Sequence, residues 1–151
     1  MSGRPGYSWD YDVEKLGTKC YMIDMQAAIC LEQMKKLPDH LKWRRHIQSR
    51  YNSELGHLIQ IPPHSETVQY YCAKVEPELR DDLINYLADK KIHTSVHFKP
   101  LHKFEVLGQK REYPVADVEW LKLISLPCHN NMTEGDIDYV IHWVKKFYEE
   151  H

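Results

Sequence analysis

The side chains best suited to chemistry in this 151-residue chain crowd into one decapeptide, HTSVHFKPLH, from His93 to His102. If the stretch is a strand, residues 93, 95 and 97 share one face. His93 and His97 can then converge with His102, or with the Cys128-His129 pair further on. Zinc takes such ligands, but typically as cysteines or histidines closely spaced in a fuller set of four. One loose group in a chain with ten histidines falls short of that pattern, so no metal is expected. The ordinary reading of His93 is a ring satisfied by backbone or solvent. There is no glycine-rich phosphate loop, and no Ser-His-Asp or Cys-His arrangement with supporting context, so no residue here is assigned as catalytic.

The elements that must position these groups are read from period and punctuation. Met1 to Leu16 has Tyr7, Trp9, Tyr11 and Val13 but no period of 2 or 3.6, and reads as an irregular arm that needs a surface to lie on. From Gly17 to Leu37 comes an unusually apolar segment, helical from about Met22 to Lys36. Its Met22, Met25, Ala27, Ala28, Ile29, Cys30, Leu31 and Met34 cover nearly the whole circumference. Such a helix belongs in an interior or between subunits. A core helix is the plainer reading, and an interface whose other half lies outside this chain is the sharper one. Pro38 either kinks it or starts a second helix. Asp39 to Leu55 is amphipathic, with Leu41, Trp43, Ile47, Tyr51 and Leu55 inward and Lys42, Arg44, Arg45 and Arg50 on a solvated face. Gly56 is the expected stop.

Leu58–Ile61, Val68–Val75 and His93–Phe98 read as three short strands. Between the last two, Pro77 starts a helix with Leu79, Leu83, Ile84 and Leu87 on one face. Lys99 to Pro114 is a loop of functional length, and Asp117 to Ile124 a short helix ended by Ser125-Leu126-Pro127. Thr133 and Asp136 form a capping box ahead of a final helix whose stripe is Ile137, Val140, Ile141, Val144 and Phe147. The expected class is α+β: a small antiparallel sheet covered on one face by helices, with a long N-terminal helical segment.

Composition bounds the function. Hydrophobic content of 42% with 28% charged residues is that of a globular domain, and a net charge of -2 leaves no electrostatic footprint for nucleic acid or an anionic membrane. The apolar segment is too short and too often interrupted to span a bilayer. Four scattered cysteines without a C-x-x-C pair point to reduced thiols in a cytoplasmic protein.

Two blocks carry a family resemblance. In the first, Gly17, Lys19, Met22, Asp24, Gln26-Ala27-Ala28-Ile29, Gln33 and Lys36-Leu37 match the segment that opens the C-terminal part of DegT/StrS-type nucleotide-sugar aminotransferases. In the second, Thr94, Ser95, Val96, His97, Phe98, Pro100, Leu101 and His102 match their T-S-V-H-[FY]-x-P-L-H string. The arm's YSWDYDV and the closing stretch from Tyr113 to Val144 also resemble them, so the likeness runs over nearly the whole chain in order. It implies the small C-terminal domain, residues 17–151, of a pyridoxal-phosphate-dependent type I aminotransferase, preceded by the 1–16 arm. The parent reaction moves an amino group onto a nucleotide-linked keto sugar, in cell-surface polysaccharide or amino-sugar biosynthesis.

The same resemblance places the Schiff-base lysine and phosphate cradle in a large N-terminal domain, ahead of this chain's first residue. The chain alone is therefore expected to be inactive and to hold no cofactor tightly. It implies a homodimer formed through Gly17–Leu37, with Lys19 and Tyr21 near the neighbouring subunit's cofactor and His97 and His102 on the substrate side. Several positions depart from the pattern. Tyr21 replaces a frequent asparagine, Thr18 and Cys20 two tyrosines, Ile23 a small polar residue, Cys30 a glycine, and His93 another glycine. A divergent branch or relaxed selection on a fragment would each produce this. Related sugar dehydratases share the domain, and a stand-alone, non-catalytic homologue or assembly module is the alternative from another class.

Overall fold

A computed structural model describes residues 18, 20–61, 63, 68–108 and 111–151. The chain divides into two compact units, Met1–Lys36 and Leu37–His151. The secondary structure crosses the division: helix α1 runs Asp24–Leu55 with Pro38 inside it. Proline there lacks the N–H that would bond to the carbonyl four residues back, so the helix tolerates one missing rung rather than ending.

In the first unit, α1 is entered through Ile23, whose N–H donates to Gln26 Oε1 at 3.2 Å. The apolar residues expected in a core are on the surface instead. Met25 is 71% exposed and Met34 65%, with Met22, Ile29 and Leu31 also exposed. The plainer reading, a core helix of this chain, is thereby corrected. Apolar periodicity reports that something should cover a face, and nothing in these residues covers it.

The second unit holds the rest of α1 together with β1 (Tyr71–Lys74), α2 (Pro77–Asp89), α3 (Pro114–Lys122), β2 (Leu123–Leu126) and α4 (Glu134–Glu150). The sheet among the described residues is one antiparallel pair, with Tyr71 opposite Leu126, Cys72 opposite Ser125, Ala73 opposite Ile124 and Lys74 opposite Leu123. Three strands were expected. Of Leu58–Ile61 only Gln60 bridges, to Lys74, and of His93–Phe98 only Ser95 bridges, to Ser125. The missed strand is β2. LISL has one polar residue, Ser125, and a run of four cannot be told from the end of a helix by period. Its helix, α3, starts earlier than expected, with Pro114 in the first turn where a missing N–H costs nothing.

The core fills from alternate positions of both strands and one stripe of each long helix. Tyr71, Ala73, Ile124 and Leu126 are buried on one face of the sheet; Ile47, Tyr51 and Leu55 come from α1, and Leu83 and Leu87 from α2. The α4 stripe, Ile137, Val140, Ile141, Val144 and Phe147, is buried throughout. Its capping box forms as expected: Asp136 N donates to Thr133 Oγ1 at 3.2 Å, and Thr133 N to Asp136 Oδ2 at 2.7 Å. Such a cap stabilises a helix by about 1 kcal/mol.

The basic face of α1 is only partly solvated. Arg44 donates to Asn130 Oδ1 and to the Val68 carbonyl, and Arg50 to Glu134 Oε2 and Asp138 Oδ1, so these cations tie α1 to distant parts of the chain. Gly56 ends α1 for a reason other than a left-handed backbone. A Cβ there would lie 2.6 Å from the Asn52 carbonyl and 3.1 Å from Ile61 Cδ1. Among the described residues the left-handed glycine is Gly108, at φ 57, closing the second of two 3-10 turns, Leu101–Lys103 and Glu105–Leu107, inside the expected 99–114 loop.

Candidate functional site

Of the meetings open to these histidines, only that of His93 with His129 occurs; His97 and His102 go to two other places. His93 and His129 line one groove with Lys91, Pro127 and Asp136, between the end of α2 and the start of α4. His102 turns to α3, where its Nε2 lies 2.9 Å from Asp117 Oδ1 and its ring 4.8 Å from that of Tyr113. Lys103 reaches the same carboxylate oxygen at 2.6 Å. Lys103 and His102 together hold the Asp117 carboxyl below the usual carboxylate range. Among the described residues no three His, Cys, Asp or Glu side chains gather as metal ligands.

His97 sits at the third place, and its surroundings are the most constructed of the three. Cys72 and Ser125 face each other across the β1–β2 pair, on the side opposite the core. The chain entering from α2 pairs there by backbone: Ser125 N donates to Ser95 O at 2.7 Å and Ser95 N to Ser125 O at 3.1 Å. Two residues on, His97 Nδ1 lies 2.8 Å from Ser125 Oγ, and Cys72 Sγ lies 3.1 Å from the same hydroxyl. The imidazole stacks on Tyr70, centroids 4.0 Å apart and planes 22° apart, with the exposed Phe98 edge-on to both rings. The result is an exposed aromatic ledge with one imidazole in it. Sequence reading found His97 but missed Tyr70, Cys72 and Ser125. The period-2 spacing of Tyr70 and Cys72 was the available signal; Ser125 needed β2.

Beside the ledge, α3 is pinned to β1 by charge. Lys74 Nζ lies 2.5 Å from Glu119 Oε2, and Lys122 Nζ donates to Oε1 at 2.9 Å. These partners lower the Glu119 pKa from 4.5 to about 2. A carboxylate depressed in the folded state adds stability above its unfolded pKa, and loses it as pH falls through the folded value. Glu119→Gln is therefore expected to flatten the acid limb of the stability curve between pH 4.5 and 2, read as denaturation midpoint against pH. An unchanged limb would mean that the pairs are solvated away.

Of the two positions expected near a cofactor, Lys19 lies outside the described residues. Tyr21 belongs to the first unit and is 78% exposed, whereas His97 and His102 belong to the second. All four cysteines are free. No helix among the described residues is long and apolar enough to cross a membrane.

A model of the DegT/DnrJ/EryC1/StrS aminotransferase family matches residues 2–145. The spore coat polysaccharide biosynthesis protein SpsC of Bacillus subtilis is 33% identical over 154 aligned residues, covering 91% of this chain and 40% of its own length. The dTDP-4-dehydro-2,3,6-trideoxy-D-glucose 4-aminotransferase of Saccharopolyspora spinosa is 28% identical over 150 residues, covering 95% of this chain and 39% of its own. Among solved structures, Spr1654 of Streptococcus pneumoniae in its PLP form superposes with a TM-score of 0.80 at 31% identity, over 95% of this chain and 40% of that one. The aminotransferase TlmJ of Streptoalloteichus hindustanus gives 0.83 at 25% identity, over 94% and 41%. The chain thus spans about two fifths of the relatives it matches.

Pyridoxal phosphate asks for a free lysine amine, an acid at the ring nitrogen and a cradle of phosphate donors. Many of the described lysines are already engaged. Lys74, Lys103, Lys122, Lys145 and Lys146 are ion-paired to carboxylates, and Lys90 lies over the rings of Tyr86 and Trp143. What this fold offers is a wall: the ledge of Tyr70, His97 and Phe98.

Proposed function

The chain belongs to the DegT/DnrJ/EryC1/StrS aminotransferase family, and from that premise we infer that it is the C-terminal portion of a pyridoxal-phosphate-dependent enzyme that aminates a nucleotide-linked keto sugar. The observation that carries the reading is the family match over residues 2–145 in a chain covering about two fifths of its relatives. In the assembled enzyme a large domain supplies the Schiff-base lysine and the phosphate cradle. This chain contributes the ledge: Tyr70 and Phe98 offer ring faces to the sugar, and His97 and His102 its polar contacts. Lys19 and Tyr21 approach the cofactor of a second subunit. The exposed methionine-rich stretch of α1 is then covered by the large domain and by a homodimer partner, which agrees with Met22, Met25, Ile29, Leu31 and Met34 all being exposed. The amino donor is an amino acid such as glutamate, and the enzyme works in the cytoplasm.

A stand-alone, non-catalytic chain is the second reading, and it rests on none of the lysines here matching the family's Schiff-base position. The DNA immediately upstream of the Met1 codon separates the two. An open frame encoding a lysine-bearing domain is expected, and the protein expressed from it should show a cofactor absorbance change on adding glutamate. A stop codon directly upstream, with no second gene supplying the missing half, would overturn the enzymatic reading.

A further inference from the structure

Ser125 stands out as a hydroxyl with little freedom. It is 5% exposed, and its Oγ has two polar neighbours, Cys72 Sγ at 3.1 Å and His97 Nδ1 at 2.8 Å. A buried hydroxyl must satisfy itself inside the protein, and it has one proton to give. An unprotonated imidazole nitrogen is a far better acceptor than a thiol, which is a weak donor and a weak acceptor. The favourable arrangement therefore runs in one direction: Cys72 S–H donates to Ser125 Oγ, and Ser125 O–H donates to His97 Nδ1. The reverse direction would spend the hydroxyl proton on sulfur. With Nδ1 accepting, the proton of the neutral ring lies on Nε2. The ring cannot easily turn over to undo this, because Tyr70 stacks on it and the Ser95–Ser125 backbone pair anchors the segment that carries it.

We propose that Ser125, backed by Cys72, is the positioning residue that fixes His97 as its neutral Nε2–H tautomer, so that position 97 presents a hydrogen-bond donor to an acceptor oxygen of the bound sugar. The identity of that acceptor rests on the nucleotide-sugar reading; the tautomer does not. The relay also gives the buried serine a purpose that packing alone does not, since alanine would fill the same place on the strand.

The test is long-range proton–nitrogen NMR of the imidazoles in the full chain labelled with nitrogen-15, at a pH where the rings are neutral. His97 is assigned by its loss in His97→Gln. The expected wild-type spectrum has His97 wholly in the Nε2–H pattern, with Nδ1 displaced by an accepted hydrogen bond. In Ser125→Ala the two nitrogens should move towards the averaged values of an exchanging ring, and Ser125→Thr should restore the wild-type pattern. Cys72→Ala should cause a smaller displacement in the same sense. An Nδ1–H pattern in the wild type overturns the proposal without any variant, so a poorly folding Ser125→Ala does not protect it. A Ser125→Ala spectrum indistinguishable from wild type also overturns it. Either failure leaves the aminotransferase reading standing. Conversely, a parent enzyme that does not aminate sugars would remove the proposed acceptor and leave the tautomer intact.

Discussion

Replacing Phe147 by alanine should lower the unfolding free energy by about 3–5 kcal/mol, the range for removing a large buried aromatic side chain. Phe147 is fully buried at the last turns of α4, where helices often fray, and it is held there by rings: Tyr86 at 5.4 Å, Tyr148 at 5.4 Å and His151 stacked at 4.2 Å. Truncation removes both the buried area and the edge-to-face contact that joins α2 to α4, and the neighbours, fixed on two helices, cannot easily close the void. Against a typical domain stability of about 5–15 kcal/mol that is a large fraction. Urea denaturation with linear extrapolation reads it. A loss below about 1 kcal/mol, the scale of an ordinary substitution, would mean that the last turns of α4 do not pack as described. Glu149→Ala, two residues on and exposed, should stay within about 0.5 kcal/mol.

Ile124→Ala should cost about 2–5 kcal/mol by the same cavity argument, and it should do more than destabilise. Ile124 is 1% exposed and lies opposite Ala73 in the β1–β2 register. It is the apolar anchor of the four-residue strand that carries Ser125 on its other face. Alternation along a strand couples the two faces, because a slip of one residue exchanges them. Loosening Ile124 should therefore also loosen the Ser95–Ser125 pair and with it the His97 imidazole. Circular dichroism under denaturant gives the stability. The backbone amides of Ser95 and Ser125, followed by hydrogen exchange, give the coupling: their protection should fall further than that of the Val140 and Val144 amides in α4. Equal loss at both places would show that the sheet edge and α4 open as one unit.

Helices were legible in the sequence because their signals are local. In α4 the Thr133–Asp136 cap and the Ile137-to-Phe147 stripe needed only neighbours within one or two turns, and both stand as read. The same holds for the Pro77 start of α2 and for Ile47, Tyr51 and Leu55 in α1. Family likeness was also legible, since it rests on the order of residues such as Thr94 to His102. Other features needed partners far along the chain. The four residues of β2 become a strand because Tyr71–Lys74 lies beside them, with Tyr71 opposite Leu126 and Lys74 opposite Leu123, 55 and 49 residues apart by their numbering. The histidines of HTSVHFKPLH scatter because Ser125, Asp117 and the groove beside Pro127 each claim one, and a periodicity argument holds no information about those claims. Arg44 and Arg50 read as a solvated face until Asn130, Glu134 and Asp138 came within reach. The methionine-rich stretch of α1 shows the division most plainly. Sequence by itself determined that nearly its whole circumference is apolar, while the tertiary structure decided that the described residues leave it exposed, because burial depends on which surface is present and not on the pattern that asks for one.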